Sequence, residues 1–318
     1  MQYDIAVIGN DEAAFEMLNL AAAANKRTLA ILPETRHSMW FVGQALRRLV
    51  SGLLVDRTPH RRRMFRSAGS PRLLHTLLTQ AIVAEMDEYS AVLEQSGVHV
   101  MPAEARFVDS SNLQVWQSTT GRCRTVRAGS FVIGTGVRRC PMHRPHGHSL
   151  FLHPESLFTG RSLPESVNII GGDQFGAGLA ALMSLFGVRT RLAARTTNCS
   201  AMLELASAAG VAIAYHAAET GSVNPEVRSS GSRPCIVDCR RSVGFTDHLG
   251  LDTIGIEPDE RGQLWCASNF ETWCSGIFGI GDVVGFSPDT ALQPSVQAER
   301  VMEGESRRTS TWHNRSCA

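Results

Sequence analysis

Two short glycine-bearing segments carry the residue types that hold a nucleotide phosphate. They are Gly9-Asn10-Asp11-Glu12-Ala13-Ala14 and Gly171-Gly172-Asp173-Gln174-Phe175-Gly176. In a dinucleotide-binding turn the first glycine makes the tight bend, the second lets backbone approach a pyrophosphate, and the third lets the helix pack on its strand. Gly9 with Ala14, and Gly171 with Gly176, meet the first and third requirements. The second position is aspartate in both, Asp11 and Asp173. A carboxylate about 4 Å from a phosphate charge repels it by roughly 4 kcal/mol at an effective dielectric near 20. That is enough to turn a nanomolar ligand into about a micromolar one. The same carboxylate suits a helix N-terminus, where it can cap free N–H groups and meets a favourable dipole. Two readings stay open: an internal anion replacing the ligand phosphate, or a shifted loop that still accepts one.

A dinucleotide site also wants an acid at the end of its second strand, to hold ribose hydroxyls. In the first segment that acid is Glu34, one place after Pro33; in the second the matching positions are Ala194 and Arg195. An arginine there suits a 2′-phosphate and would favour NADP over NAD.

Other polar groups carry less. Arg57, His60, Arg61, Arg62, Arg63, Arg66 and Arg72 form a basic stretch with only Phe65 interleaved, so a solvated loop is expected rather than a nucleic-acid surface. His143, His146, His148 and His153 lie in a proline-containing linker with no fixed ligand spacing, and no metal site is expected. The eight cysteines form no C-x-x-C pair, so neither a dithiol centre nor a zinc site is expected.

The elements that must position the two loops can be read from apolar periodicity. Tyr3 to Ile8 reads as a strand, Ala14 to Ala24 as an alanine-rich helix, and Thr28 to Leu32 as a second strand. Ser166 to Ile170, a helix from about Phe175 to Phe186, and Val188 to Ala193 repeat the pattern. Each is a βαβ opening with parallel strands and a right-handed crossover. Between them lie a helix from about Pro71 to Gln95 and a strand ending in Phe131-Val132-Ile133-Gly134-Thr135-Gly136. Gly276 to Ile280 reads as a short buried strand closing on Gly281-Asp282, followed by a helix from about Leu292 to Gly304. The tail after Glu305 is polar and is expected to be disordered.

Composition sets the frame. A chain of 318 residues can bury a core for two domains. A formal net charge of +1 gives no global field toward nucleic acid or anionic lipid. No apolar run is long enough for a membrane helix, and Met1 leads straight into a strand pattern, so a cytoplasmic location is expected.

The segment Asp238 to Arg300 narrows the class. It holds Ser242-Val243-Gly244-Phe245-Thr246-Asp247-His248-Leu249-Gly250-Leu251, then Ile254-Gly255-Ile256-Glu257, and then Thr272-Trp273-Cys274-Ser275-Gly276-Ile277-Phe278-Gly279-Ile280-Gly281-Asp282. This resembles the pyridine nucleotide–disulfide oxidoreductase family, and most its soluble NAD(P) transhydrogenase branch. The resemblance, running from residue 1 to about 304, implies an α/β fold with two Rossmann-like domains of the three-layer ββα type. It implies an FAD-binding domain over residues 1–147 and 268–318, with an NAD(P)-binding domain over 148–267 between its parts. The family's C-terminal dimerisation domain has no counterpart, which leaves the usual homodimer open.

The resemblance also implies roles. Asp282 would accept from the FAD ribitol, with Gly281 admitting close backbone, and Thr135-Gly136 would match the family's Ala-Thr-Gly turn. Gly9 and Ala14 would cradle the FAD pyrophosphate, and Gly171 and Gly176 that of NAD(P)H; the helix near Leu292 would aim its N-terminus at the flavin. Trp40 to Arg47 stands where the family has a glycine-rich stretch, with Gln44 in place of a lysine beside the flavin. Gly178 replaces a glutamate facing the nicotinamide. The implied function is hydride transfer between NAD(P)H and flavin, for which no protein acid or base is named. The alternatives are a non-catalytic relative kept as a nucleotide-binding or regulatory module, and a decayed product without stable cofactor.

Overall fold

A computed structural model of the chain describes residues 2–34, 37–55, 70–118, 120–140, 151–152, 154, 156–194, 200–215, 235–240, 242–289 and 291–315. The chain divides into two compact units. The first comprises Met1–Phe41, Asp87–Arg138 and Val243–Ala318, and the second Val42–Met86 and Arg139–Ser242.

The first unit is built on a seven-stranded sheet. Its path runs His99–Pro102, Thr28–Leu32, Gln2–Ile8, Cys123–Ile133, Asn112–Trp116, Glu104–Asp109, and Ile277–Gly279 pairs with Cys123–Ile133 off that path. Val7 lies opposite Ala30 on one side and Val132 on the other, both in parallel register. Ile277 joins Phe131, again in parallel. The first half of Cys123–Ile133 instead pairs antiparallel with Asn112–Trp116, so one long strand serves both a parallel sheet and a meander. A strand buried on both faces reads as a continuous apolar run; Ile5, Ala6 and Val7 accordingly have no exposed surface.

Helix Glu12–Ala23 covers the sheet with Ala13, Ala14, Met17, Leu18 and Ala21, and packs against the last helix, Pro294–Arg315. The last helix continues well past Gly304, where composition suggested a disordered tail. Polar residues there have partners that composition cannot reveal. Glu305 is buried and pairs with Lys26 at 2.9 Å, and Arg308 donates to the Gly129 carbonyl and, at 2.8 Å, to the Ser130 hydroxyl.

The second unit holds a fully parallel five-stranded sheet in the order Ala212–Tyr215, Arg189–Ala194, Ser166–Ile170, Cys235–Asp238, Phe151–Leu152. Helix Gln174–Leu185 follows the central strand and is buried almost all round, from Phe175 to Met183. Each unit therefore contains a strand, a glycine turn and a helix in succession, as the spacing of the two loops predicts.

Two features were not read from sequence. Met39–Val55 is one helix, and Val42 onward belongs to the second unit. Residues 243–267 fall in the first unit, whereas the resemblance implies them in the NAD(P)-binding domain.

Candidate functional site

At the first loop Gly9 turns the chain out of the central strand with φ +116°, a conformation that side chains rarely tolerate. A Cβ on Gly9 would also lie 2.3 Å from the Gly134 carbonyl oxygen, so the loop rests directly on the Gly134-Thr135-Gly136 turn. The loop is fixed from its other side as well. Asn10 is fully buried, its Oδ1 accepts the Ser38 N–H at 2.9 Å, and its backbone carbonyl accepts the Ser38 hydroxyl at 3.0 Å.

Asp11 begins helix Glu12–Ala23 in extended backbone, but its carboxylate does not cap that helix. Of the two readings open for it, an internal anion holds, but not as a helix cap: Oδ2 accepts the Asp282 N–H at 2.9 Å, across the turn that ends the last strand of the sheet. Gly281 makes this possible, since a Cβ there would lie 2.2 Å from that oxygen. The preceding donor is taken too, because Gly281 N–H donates to Gln297 Oε1 at 2.9 Å. The two backbone donors of the Gly281-Asp282 turn thus both point at side chains of the chain itself.

The electrostatics of this turn are unbalanced. Asp11 is only 3% exposed. Burial first, and repulsion from Asp282 second, push its carboxyl up from 3.8 to about 7. Burial also raises the Glu12 carboxyl. His37, whose Nδ1 lies 3.1 Å from Asn10 Nδ2, is driven down to about 4 by burial and stays neutral at pH 7. Among the described residues no cation pairs with Asp11.

The second loop solves the same problem differently. Asp173 does cap its helix, accepting the Gly176 N–H at 2.7 Å, as a carboxylate at that position should. Its other oxygen pairs with Arg139, whose side chain is 7% exposed, against 51% for Asp173. The same guanidinium donates to the Cys239 carbonyl and stands over the Phe175 ring, 5.0 Å from its centre. Here the aspartate is neutralised and half exposed. Arg139 and Gln297 were missed from sequence, since a single polar residue at a strand end or in a first helical turn carries no distinguishing pattern.

The remaining expected residues fall as follows. Ala14 packs on the Gly134 position, where a Cβ would meet its own Cβ at 2.7 Å. Thr135 is buried, and its hydroxyl lacks a partner among the described residues. The Glu34 carboxylate accepts the N–H of Ser118, 84 positions on, at 2.6 Å, so a distant turn already uses the acid expected to hold ribose hydroxyls. Arg195, the histidine cluster and the basic stretch apart from Arg72 lie outside the described residues. Gly178 is wedged: a Cβ would lie 2.9 Å from Leu46 Cβ and 3.0 Å from Met202 Cε. A glutamate has no room there. Gln44 Oε1 is buried without a partner among the described residues.

The arrangement can be tested against the nucleotide the resemblance implies. The glycine cradle of the first loop is intact, but its inner position is filled by Asp11. A pyrophosphate and that carboxylate cannot share the Asp282 N–H, so FAD fits this turn only once Asp11 has moved off it.

Comparison with known proteins gives the wider context. The profile of the family described as pyridine nucleotide-disulphide oxidoreductase matches residues 3–303. A soluble pyridine nucleotide transhydrogenase of Vibrio parahaemolyticus is 29% identical over 205 residues, covering 57% of this chain and 43% of its own length. One of Chromohalobacter salexigens is 26% identical over 320 residues, covering 89% of this chain and 67% of its own. The chain thus spans less than half the length of the Vibrio relative. Among solved structures, the Cu(II) complex of the flavoprotein disulfide reductase RclA from Escherichia coli superposes with a TM-score of 0.61 at 15% identity, over 94% of this chain and 70% of that one. LpdA from Mycobacterium tuberculosis gives 0.57 at 19%, over 94% and 72%. At such identities the likeness speaks to fold.

Proposed function

The chain belongs to the pyridine nucleotide-disulphide oxidoreductase family, and from that membership we propose that it is a flavin-dependent oxidoreductase exchanging hydride with NADPH or NADH, a transhydrogenase type of reaction. The observation that carries this reading is the junction at the end of the first sheet. Ile280 N–H donates to the Ile133 carbonyl at 2.9 Å, which brings Gly281-Asp282 beside Gly134-Thr135-Gly136 and the Gly9 turn. Ligands of open α/β sheets sit outside the carboxyl ends of the strands, and all three turns leave those ends. The printed name of the Vibrio and Chromohalobacter relatives, soluble pyridine nucleotide transhydrogenase, supports the reaction class and a cytoplasmic location.

In this reading Gly9, Ala14, Thr135, Gly136, Gly281 and Asp282 serve FAD in the first unit. Gly171, Gly176 and Arg195 serve NAD(P)H in the second. Glu34 serves the flavin nucleotide only after leaving Ser118. No protein acid or base is assigned, because hydride exchange with a flavin is the cofactor's own chemistry.

The test is direct. The full chain is incubated with FAD near pH 6, freed of unbound flavin, and titrated anaerobically with NADPH and NADH. The proposal expects a yellow protein whose visible flavin band is bleached by at least one of the two. A flavin-loaded protein that neither nucleotide reduces contradicts it, as does a folded protein that stays colourless.

A further inference from the structure

The two aspartates at matching loop positions have opposite surroundings, and this difference leads further. Asp173 has a buried arginine against it, a helix N–H to cap, and half its surface in water. Asp11 is buried, pairs with no cation among the described residues, and reaches across to the Asp282 N–H with the Glu12 backbone beside it. A carboxylate in that position costs the fold something, and a mere helix cap would not have placed it there. The turn opposite is shaped to receive it, because only glycine at 281 leaves room for the Oδ2 oxygen.

We propose that the Asp11 carboxylate is the first unit's own occupant of the anion position at the Gly281-Asp282 turn, and that a nucleotide phosphate binds there only by displacing it. This inference rests on the flavin reading of the same turn. Gln297 is the second part of the plug, holding the Gly281 N–H until it too is exchanged. In the second loop the Asp173 carboxylate instead holds the Gly176 N–H of its own helix and pairs with Arg139, so its charge is balanced where that of Asp11 is not.

Charge makes the displacement depend on pH. The groups facing Asp11 are Glu12 on its own helix and Asp282 across the turn, both acidic. Near it are His37, neutral through burial, and Ser38, Thr135 and Gln297, which carry no charge. A protonated Asp11 repels a phosphate less and gives up the Asp282 N–H more easily than a carboxylate does. Acid should therefore open the first turn.

The experiment measures FAD binding to the full chain by quenching of flavin fluorescence from about pH 5.5 to about pH 8.5, for the wild type, Asp11→Gly, Asp11→Asn and Gln297→Ala. For the wild type, affinity is expected to fall as pH rises through about 7. Asp11→Gly is expected to bind two to three orders of magnitude more tightly than wild type at the alkaline end, with a flat profile. Asp11→Asn is expected to flatten the profile while keeping side-chain size, and it decides the matter if the glycine variant does not fold. Gln297→Ala should tighten binding without changing the pH slope. Equal affinities and slopes in the wild type and both Asp11 variants overturn the inference and leave the flavin reading standing. Tight, pH-independent FAD on Asp11→Gly that neither NADPH nor NADH reduces upholds the inference and sinks the oxidoreductase reading. FAD binding to no variant at any pH overturns both.

Discussion

At the scale of single residues, the chemistry of the first unit turns on one carboxyl group. Its folded pKa is raised, from 3.8 to about 7, because burial and Asp282 oppose its charge. The folded state therefore binds this proton more tightly than the unfolded chain does, so the stabilisation it brings is fully present below about 3.8 and is lost as pH rises through about 7. Asp11→Asn, which can still offer an amide oxygen to the Asp282 N–H, should remove that loss. In thermal unfolding, the variant should be more stable than wild type by a few kcal/mol near pH 8.5, the gap narrowing toward pH 5. A gap that does not change with pH would contradict the buried, repelled state of Asp11. Gln297→Ala should leave the Gly281 N–H unpaired and cost about 1–3 kcal/mol in denaturant unfolding, provided no water replaces the amide. The sequence showed that an aspartate stands in each loop, and that it could act as an internal anion. It did not show that the two would differ. That depends on which backbone donor lies opposite and whether a cation lies alongside, and Asp282 is 271 positions away.

Among the elements, legibility followed periodicity. Both strand–turn–helix openings, the long helix Pro71–Gln95 and the short strand before Gly281 stand where apolar spacing put them. The helix Met39–Val55 stands where the family resemblance implies a glycine-rich stretch, although its apolar residues repeat with a helical period. The last helix runs on past the polar residues expected to be solvated, because Glu305 and Arg308 find Lys26 and the sheet edge. The helix missed from sequence has a consequence for the second unit. Leu46 sits on Gly178 along with Met202, so the position is a packing contact. Gly178→Glu, which restores the family residue, should destabilise the protein by at least about 3 kcal/mol in chemical denaturation, since it both overpacks and buries a charge. A variant as stable as wild type would mean that the position opens into solvent or into a site.

For the molecule as a whole, two Rossmann-type units and family membership were readable in the sequence, while the state of the phosphate turns was not. The thiols bear on which branch of the chemistry is in play. Cys123, Cys235, Cys239, Cys266 and Cys274 are free thiols, and burial pushes those of Cys239 and Cys266 up to about 12, far from the reactive thiolate range. Alkylation of the native protein at mild alkaline pH should therefore label the exposed Cys123 readily, and Cys239 and Cys266 only on unfolding. Fast labelling of either buried thiol would point to a redox role that hydride exchange does not need. The buried Asp11 carboxylate holds the Asp282 N–H at the turn we propose as the phosphate site. The most direct measurement is the carboxyl carbon-13 resonance of Asp11, assigned by its loss in Asp11→Asn and followed through a pH titration of the ligand-free chain. A midpoint near 7, far above the ordinary 3.8, is what this account predicts. An Asp11 carboxyl that titrates as a solvated aspartate does would show it pointing into water, with the turn open to a phosphate at every pH.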